Sequence, residues 1–289
     1  GSIQDMPIEY FKALMRPENK IRRITYNLSV SDPIYSGSFI PQLEYLHSLD
    51  RKVKMNISTN GSGRNEKWWL KLASLLDPEH HRVEFAIDGL EDTNHLYRRN
   101  VKWHKVMENA KSFIDAGGLA RWRMLVFEHN AHQLEEAEQL SKDMGFGAFD
   151  INGGHTFSAI DSVVSKAMEK FKASKKDTAR TITYEKKHLD NVKRVEGLLE
   201  KGFDKSCITC KWQKKGKIQV SHMGEVFPCC YTLSDRYPRY VDSPYAKNVN
   251  SIKWLNINDM PLHEILESNT LTDPKDKRFK ICEVTCGEV

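Results

Sequence analysis

The first 206 residues contain no cysteine; all six cysteines lie between Cys207 and Cys286. That distribution excludes a disulfide-stapled secreted scaffold. It reads as metal ligands or free thiols in a reducing compartment, and a cytoplasmic location is expected. No apolar run approaches the roughly 20 residues that span a bilayer, so no membrane partner is expected. No signal peptide opens the chain, and Gly1-Ser2 has the look of a tag remnant. There is no Lys/Arg-dense block and no interleaving of basic with aromatic residues. The 44 Lys and Arg exceed the 39 Asp and Glu by a formal +5. This argues against a nucleic-acid-binding module and leaves room for an anionic partner. What is present is a chain of 289 residues, 39% hydrophobic and 29% charged. It is long enough for one large domain, or for one large and one small.

Two periodicities alternate along the first half. The spacing predicts strands at Arg23–Ser29, Val53–Thr59, Arg82–Asp88, Ala120–Phe127 and Ala148–Asn152. Helical patterns fall between them at Ser38–Leu49, Glu66–Leu76, Trp103–Ala116 and His132–Met144, the last closed by Gly145. Repeated strand–helix units with short connections predict a parallel sheet with helices outside it. The chain opens inside a further helical pattern, Pro7–Leu14. A strand preceding residue 1 is therefore expected to be missing. Residues 160–203 are Lys-rich with apolar positions at helical spacing, read as a linker with one or two surface helices. From Cys207 on, prolines break up the segment, and a hairpin is expected where Lys217–Ser221 turns through His222-Met223-Gly224 into Glu225–Phe227. The expected domains are 3–158, 159–206 and 207–289.

The cysteines fall as Cys207-x2-Cys210, Cys229-Cys230 and Cys282-x3-Cys286. Converging thiolates suit Zn²⁺ or an iron–sulfur cluster, and spacing alone leaves the two open as equals. Neighbouring side chains on an extended strand point to opposite faces, so Cys229-Cys230 is expected to give one ligand.

The run Asp88-Gly89-Leu90-Glu91-Asp92-Thr93-Asn94-His95-Leu96-Tyr97-Arg98-Arg99-Asn100, then Trp103-His104-Lys105-Val106 and Ala116-Gly117-Gly118, resembles radical S-adenosylmethionine (SAM) enzymes with a SPASM or twitch C-terminal domain. Cys210, thirteen residues, Gly224, four residues and Cys229 fit the hairpin pattern of that domain, and Cys282-x3-Cys286 resembles its closing ligands. The resemblance implies a partial (β/α)6 TIM-like barrel, lacking its first strand here, followed by a small irregular iron–sulfur domain. It implies an auxiliary [4Fe–4S] cluster on Cys210, Cys229, Cys282 and Cys286, with zinc as the alternative metal. It also implies SAM lying across the strand ends, against Ser31-Asp32-Pro33, Thr59-Asn60 and Asp88, with Arg123 placed to pair with a carboxylate.

The Cys-x3-Cys-x2-Cys motif that defines the family is absent. Loss of an N-terminal segment is the favoured explanation, and a degenerate relative is the other. The family generates a 5′-deoxyadenosyl radical from SAM and abstracts hydrogen from its substrate. The implied activity is therefore a radical SAM/SPASM oxidoreductase or maturase of a peptide or protein. An electron donor is the further partner, and this form, lacking the SAM-cleaving motif, is expected to be inactive alone. The rival is a non-catalytic iron–sulfur or zinc module for binding or electron transfer. Among other residues, His80-His81 reads as a solvated turn, Trp68-Trp69 as packing, and His95, Glu128-His129-Asn130 and Asn152-Gly153-Gly154-His155 as neighbours of the substrate mouth.

Overall fold

In the computed structural model, residues 5–28, 31–49, 52–153, 162–173, 215–227 and 255–268 are described. The chain forms two compact units. One is residues 22–185; the other joins residues 1–21 to residues 186–289.

The larger unit is built on five parallel strands in the order β1 to β5: Arg23–Tyr26, Lys54–Thr59, His81–Ala86, Ala120–Val126 and Ala148–Gly153. Each strand neighbours the next in sequence, which a parallel sheet allows only through helical crossovers of one hand. The connecting helices are α2 (Phe39–Ser48), α3 (Glu66–Leu75), the single turn α4 (Asn94–Tyr97), α5 (Trp103–Asp115) and α6 (Leu134–Met144). Helix α7 (Ser162–Ala173) follows β5. The parallel sheet with intervening helices expected from the periodicity is therefore observed, and it is the partial TIM-like architecture that the resemblance implies. The expected helix at His132–Met144 divides into a 3₁₀ turn, Ala131–Gln133, and α6, while Gly145 caps α6 in the left-handed region at φ 88°. Helices α2 and α3 stop within a residue of their expected ends because Leu49 and Leu76 already take extended backbone.

The two faces of the sheet differ. On the helix side Met55, Ile57, Val83, Phe85, Ile87, Trp122 and Met124 are each 2% exposed or less. Trp69 from α3 and Phe113 from α5 pack on Phe85, with ring centroids 5.3 and 6.2 Å away. Burying an aromatic side chain of this size contributes about 2–3 kcal/mol, so this column anchors α3 and α5 to the sheet. On the opposite face the alternate residues are polar: Thr25, Asn56, Ser58, Arg82, Glu84, Arg121, Arg123 and Asp150 stand in register or one step apart. A parallel sheet packed on both sides reads as a continuous apolar run. The alternation here means that the second face presents polar side chains rather than a second apolar layer.

The smaller unit has an antiparallel hairpin, β6 (Gln219–Val220) with β7 (Val226–Phe227), as the turn sequence predicted. Gly224 sits in its turn at φ 80°, and a Cβ there would meet Asn256 Oδ1 at 2.7 Å. Val226, Ile257, Leu262 and Ile265 form the core, and Tyr10, Leu14 and Ile21 of the N-terminal segment pack against it. Helix α1 (Ile8–Leu14) thus belongs to the same core as α8 (Leu262–Glu267).

Candidate functional site

The C-terminal ends of β1 to β5 carry the residues that the sequence singled out. Ligands of parallel α/β sheets bind at this edge because loops converge there. Asp32 follows β1, where its carboxylate caps the 3₁₀ turn Pro33–Tyr35 by accepting from Ile34 N. Its other oxygen accepts from Thr59 Oγ1 at 3.0 Å and from Asn60 N at 2.7 Å. Three of the expected site residues, Asp32, Thr59 and Asn60, are thereby brought into one cluster across the ends of β1 and β2. Ser31 stands exposed beside it. Burial pushes the Asp32 carboxyl above its ordinary pKa, while the Asn60 and Ile34 amides, Thr59 and the charge of Arg98 pull it down.

Asp88, after β3, is fully buried, and both oxygens are taken: Oδ1 by Leu125 N at 2.6 Å and Oδ2 by Arg98 Nε at 2.5 Å. Burial raises its pKa against the pull of Arg98 and of the Leu125 amide. With a donor on each oxygen, the ionised form is the one the geometry accommodates. The following loop is locked from both sides. Asn94 Oδ1 accepts from Asp88 N, and Asn130 Nδ2 donates to Asp88 O and Leu125 O. Gln133 Oε1 accepts from Leu90 N and Thr93 Oγ1, while its Nε2 donates to Asp92. Gly89 is required here, since a Cβ would lie 2.2 Å from Thr93 Oγ1 and its φ is 141°.

The carboxylates of Asp32 and Asp88 are therefore spent on protein donors. They set the shape of the rim, and other groups are left to face a ligand. Asn60 Oδ1 is occupied by Ser62 N and Oγ, but no group among the described residues accepts from its Nδ2. Arg123 is 45% exposed, and among the described residues its guanidinium has one ion pair, 3.6 Å from Glu84. Ala86 ends β3 level with Arg123 on β4. His95 is exposed on α4. His129 stacks on Phe127 at 5.3 Å, and its buried Nε2 lacks a partner among the described residues. Tyr97 also packs on Phe127, with ring centroids 4.6 Å apart.

Sequence reasoning gave no role to Arg98, Asn94 or Gln133. The available signal was weak: Asn94, Asn130 and Gln133 fall singly in the segments after β3 and β4, where amide side chains commonly bond loop backbone. His80 lies in the expected turn, where its Nδ1 meets Asp77 Oδ2 at 2.7 Å, but His81 opens β3 and is half-buried, its Nε2 meeting Val53 O at 2.9 Å, because the parallel pairing with β2 begins there. Trp69 is buried packing, and Trp68 stacks on Phe39. A shallow hollow of about 530 Å³ lies on Tyr35, Arg64, Asn65 and Trp68. Its guanidinium is already engaged by Ile34 O and the Trp68 ring, so the strand-end rim is the stronger site. Cys207, Cys210, Cys229, Cys230, Cys282 and Cys286, together with Gly154 and His155, lie outside the described residues.

Residues 207–287 match the SPASM family, described as an iron-sulfur cluster-binding domain. No curated protein sequence matches the chain. Solved structures share the fold. Native anSMEcpe with bound AdoMet superposes with a TM-score of 0.55 at 17% identity, over 93% of this chain and 73% of that one. SuiB of Streptococcus suis bound to S-adenosylmethionine gives 0.60 at 12% identity, over 92% of this chain and 59% of that one. SuiB bound to its precursor peptide SuiA gives 0.58 at 14% identity, over 97% and 63%. Both the barrel and the C-terminal domain thus agree with the radical SAM/SPASM resemblance. The match to an iron-sulfur domain weighs for iron and sulfide over zinc.

Proposed function

We propose that this chain is the SAM-holding barrel and auxiliary-cluster domain of a radical SAM/SPASM enzyme that modifies a peptide or protein in a reducing compartment. The observation that carries the reading is the confinement of all six cysteines to 207–286, the stretch that matches the SPASM domain. The donor set fits the group: thiolates hold iron–sulfur clusters, and the Gly224 turn, which no side chain could enter, leads through β7 toward Cys229. Cys210, Cys229, Cys282 and Cys286 would hold the cluster. At the rim, Asn60 and Arg123 would face SAM, the guanidinium being suited to its carboxylate. Asp32, Thr59 and Asp88 would position those residues. When bound, the cofactors supply one-electron chemistry that ends in hydrogen abstraction from the substrate. The chain's own part is to orient SAM and to keep water from the strand ends. AdoMet-bound and peptide-bound relatives support this assignment.

The sequence contains no Cys-x3-Cys-x2-Cys, so this polypeptide is expected to bind SAM without cleaving it. That feature favours a second reading, a non-catalytic iron–sulfur module for binding or electron transfer. Purification without oxygen, followed by iron, sulfide and zinc analysis, tests the cluster. About four iron and four sulfide per chain are expected for one [4Fe–4S] centre, and one zinc would reject it. Incubation with SAM and a low-potential reductant tests the rest. No 5′-deoxyadenosine above background is expected, and its appearance would overturn the inactivity.

A further inference from the structure

The polar face of the sheet carries an uneven charge. Arg23 and Lys54 face each other across β1 and β2. Arg82 lies on β3 opposite Asn56, and Arg121 lies on β4 opposite Glu84. With Arg123 that makes a set of cations on one face, against the carboxylates Glu84 and Asp150. Glu84 is committed to Arg123 and to Ser58 Oγ, and Asp150 to Arg121 at 2.8 Å. Arg82 Nε is held by the neutral Asn56 Oδ1 at 2.8 Å. Among the described residues, no carboxylate meets Arg23, Lys54 or Arg82, and the buried Nε of Arg121 has no partner. A guanidinium held in a half-buried position without a counter-ion is costly unless something anionic completes it.

The cations also form a line. From β1 to β4 they run diagonally: Lys54 is level with Arg23, Arg82 stands two residues further along its strand, and Arg121 two further again. Three inter-strand steps and four residues of strand make this stripe about 20 Å long, the reach of an extended segment of roughly six residues. In such a segment alternate side chains share a face.

Resting on the function proposed above, the geometry points to this stripe as the docking surface for an acidic segment of the peptide substrate, with alternating Asp or Glu against the Arg23–Lys54–Arg82–Arg121 line. Charge complementarity of this kind sets orientation and partner choice more than raw affinity. It would fix which residue of the substrate reaches the strand-end rim, where Arg123 and Asn60 lie. A peptide is favoured over a nucleic acid because the line is one residue wide, and because no aromatic side chain stands among its cations to stack bases.

The test is fluorescence anisotropy of the full chain with fluorescein-labelled octaglutamate, octalysine and a single-stranded octathymidylate. Octaglutamate is expected to bind at low salt, to weaken as salt rises, and to be preferred to octalysine. The double variant Lys54→Glu with Arg82→Glu should weaken it about tenfold or more. Lys67→Glu, on the outer surface of α3, should change it less than about twofold. Circular dichroism melting checks that each variant folds. If the double variant does not fold, Lys54→Gln alone should still cost about threefold. Absent octaglutamate binding, an equal loss in Lys67→Glu, or no loss in Lys54→Gln would overturn the proposal. Tighter binding of octathymidylate would assign the stripe to nucleic acid. The assay needs neither cluster nor SAM. A zinc or cluster-free result would therefore reject the proposed enzyme without touching the docking surface, and the reverse also holds.

Discussion

Arg98 Nε reaches Asp88 Oδ2 at 2.5 Å, joining the end of α4 to the fully buried carboxylate at the end of β3. Leu125 N holds the other oxygen, so one carboxylate ties together β3, β4 and the loop between them. Removing the cation leaves a buried charge without its partner. Arg98→Leu is expected to cost about 3 kcal/mol, and Asp88→Asn less, about 1–2 kcal/mol. The double variant should cost clearly less than the sum, and urea unfolding in a double-mutant cycle measures the coupling. Burial already raises the Asp88 pKa, and loss of Arg98 raises it further. With a folded pKa above the unfolded one, stability is lost as the pH rises from the unfolded value through the folded one, and raising the folded pKa further enlarges that loss. The Arg98→Leu penalty should therefore be larger at pH 7.5 than at pH 5.

Asp32 plays the same part between β1 and β2. Its carboxylate accepts from Ile34 N, Asn60 N and Thr59 Oγ1. Asp32→Ala leaves three donors without an acceptor and is expected to cost about 2–3 kcal/mol. Asp32→Asn keeps the shape but turns an NH₂ toward one of those donors, so it should fall between. The local signature is faster hydrogen exchange at the Asn60 and Ile34 amides. Unchanged protection there would contradict the assignment.

His81 gives the fold a pH dependence with a fixed sign. Its Nδ1 faces Asp77 N at 3.0 Å and its Nε2 faces Val53 O at 2.9 Å. Only the neutral tautomer with the proton on Nε2 satisfies both, since protonated Nδ1 would meet an N–H. Burial lowers its pKa from 6.5, against the pull of Val53 O and Asp77. The folded state then binds fewer protons than the unfolded state between the lowered value and 6.5. Stability from this group is complete above 6.5 and is lost as the pH falls through that window. In urea titrations at pH 7.5 and 5.5, His81→Gln should flatten the difference. A difference as large as that of the wild type would exclude His81 as its source.

The core of the smaller unit predicts how residues far from the cysteines affect cluster loading. Ile265 is fully buried among Val226, Ile257 and Leu262. Ile265→Ala is expected to cost about 3 kcal/mol in that unit. Gly224→Ala would force a Cβ against Asn256 at positive φ, at a cost of about 1–3 kcal/mol. Each should lower the iron bound per chain after anaerobic reconstitution, while amide protection in β2 to β4 stays at the wild-type level. Full iron content in both variants would separate cluster binding from this core.

Local periodicity made most of the larger unit legible. Val53, Met55 and Ile57, then Val83, Phe85 and Ile87, alternate in sequence because they alternate in space, and all are buried. The resemblance, not the periodicity, singled out Asp32, Thr59, Asn60 and Asp88, and the structure sets them at or just past the strand ends, with the first three in one cluster. Which atoms would be spent on neighbours depends on distances across strands, as from Thr59 to Asp32 over 27 positions. No spacing in the chain encodes that.

The sequence by itself determined the alternation of strand and helix, the parallel sheet, and the segregation of thiols into one short segment. These follow from local sterics and from which residue types tolerate burial. Tertiary structure alone decided that the Asp88 carboxylate is saturated by Arg98 and Leu125. It decided that residues 1–21 share a core with the C-terminal unit, and that Arg23, Lys54, Arg82 and Arg121 fall in line on one face. The reason is physical: each of these depends on strand register and on contacts between residues distant in the chain, which packing fixes and local pattern does not.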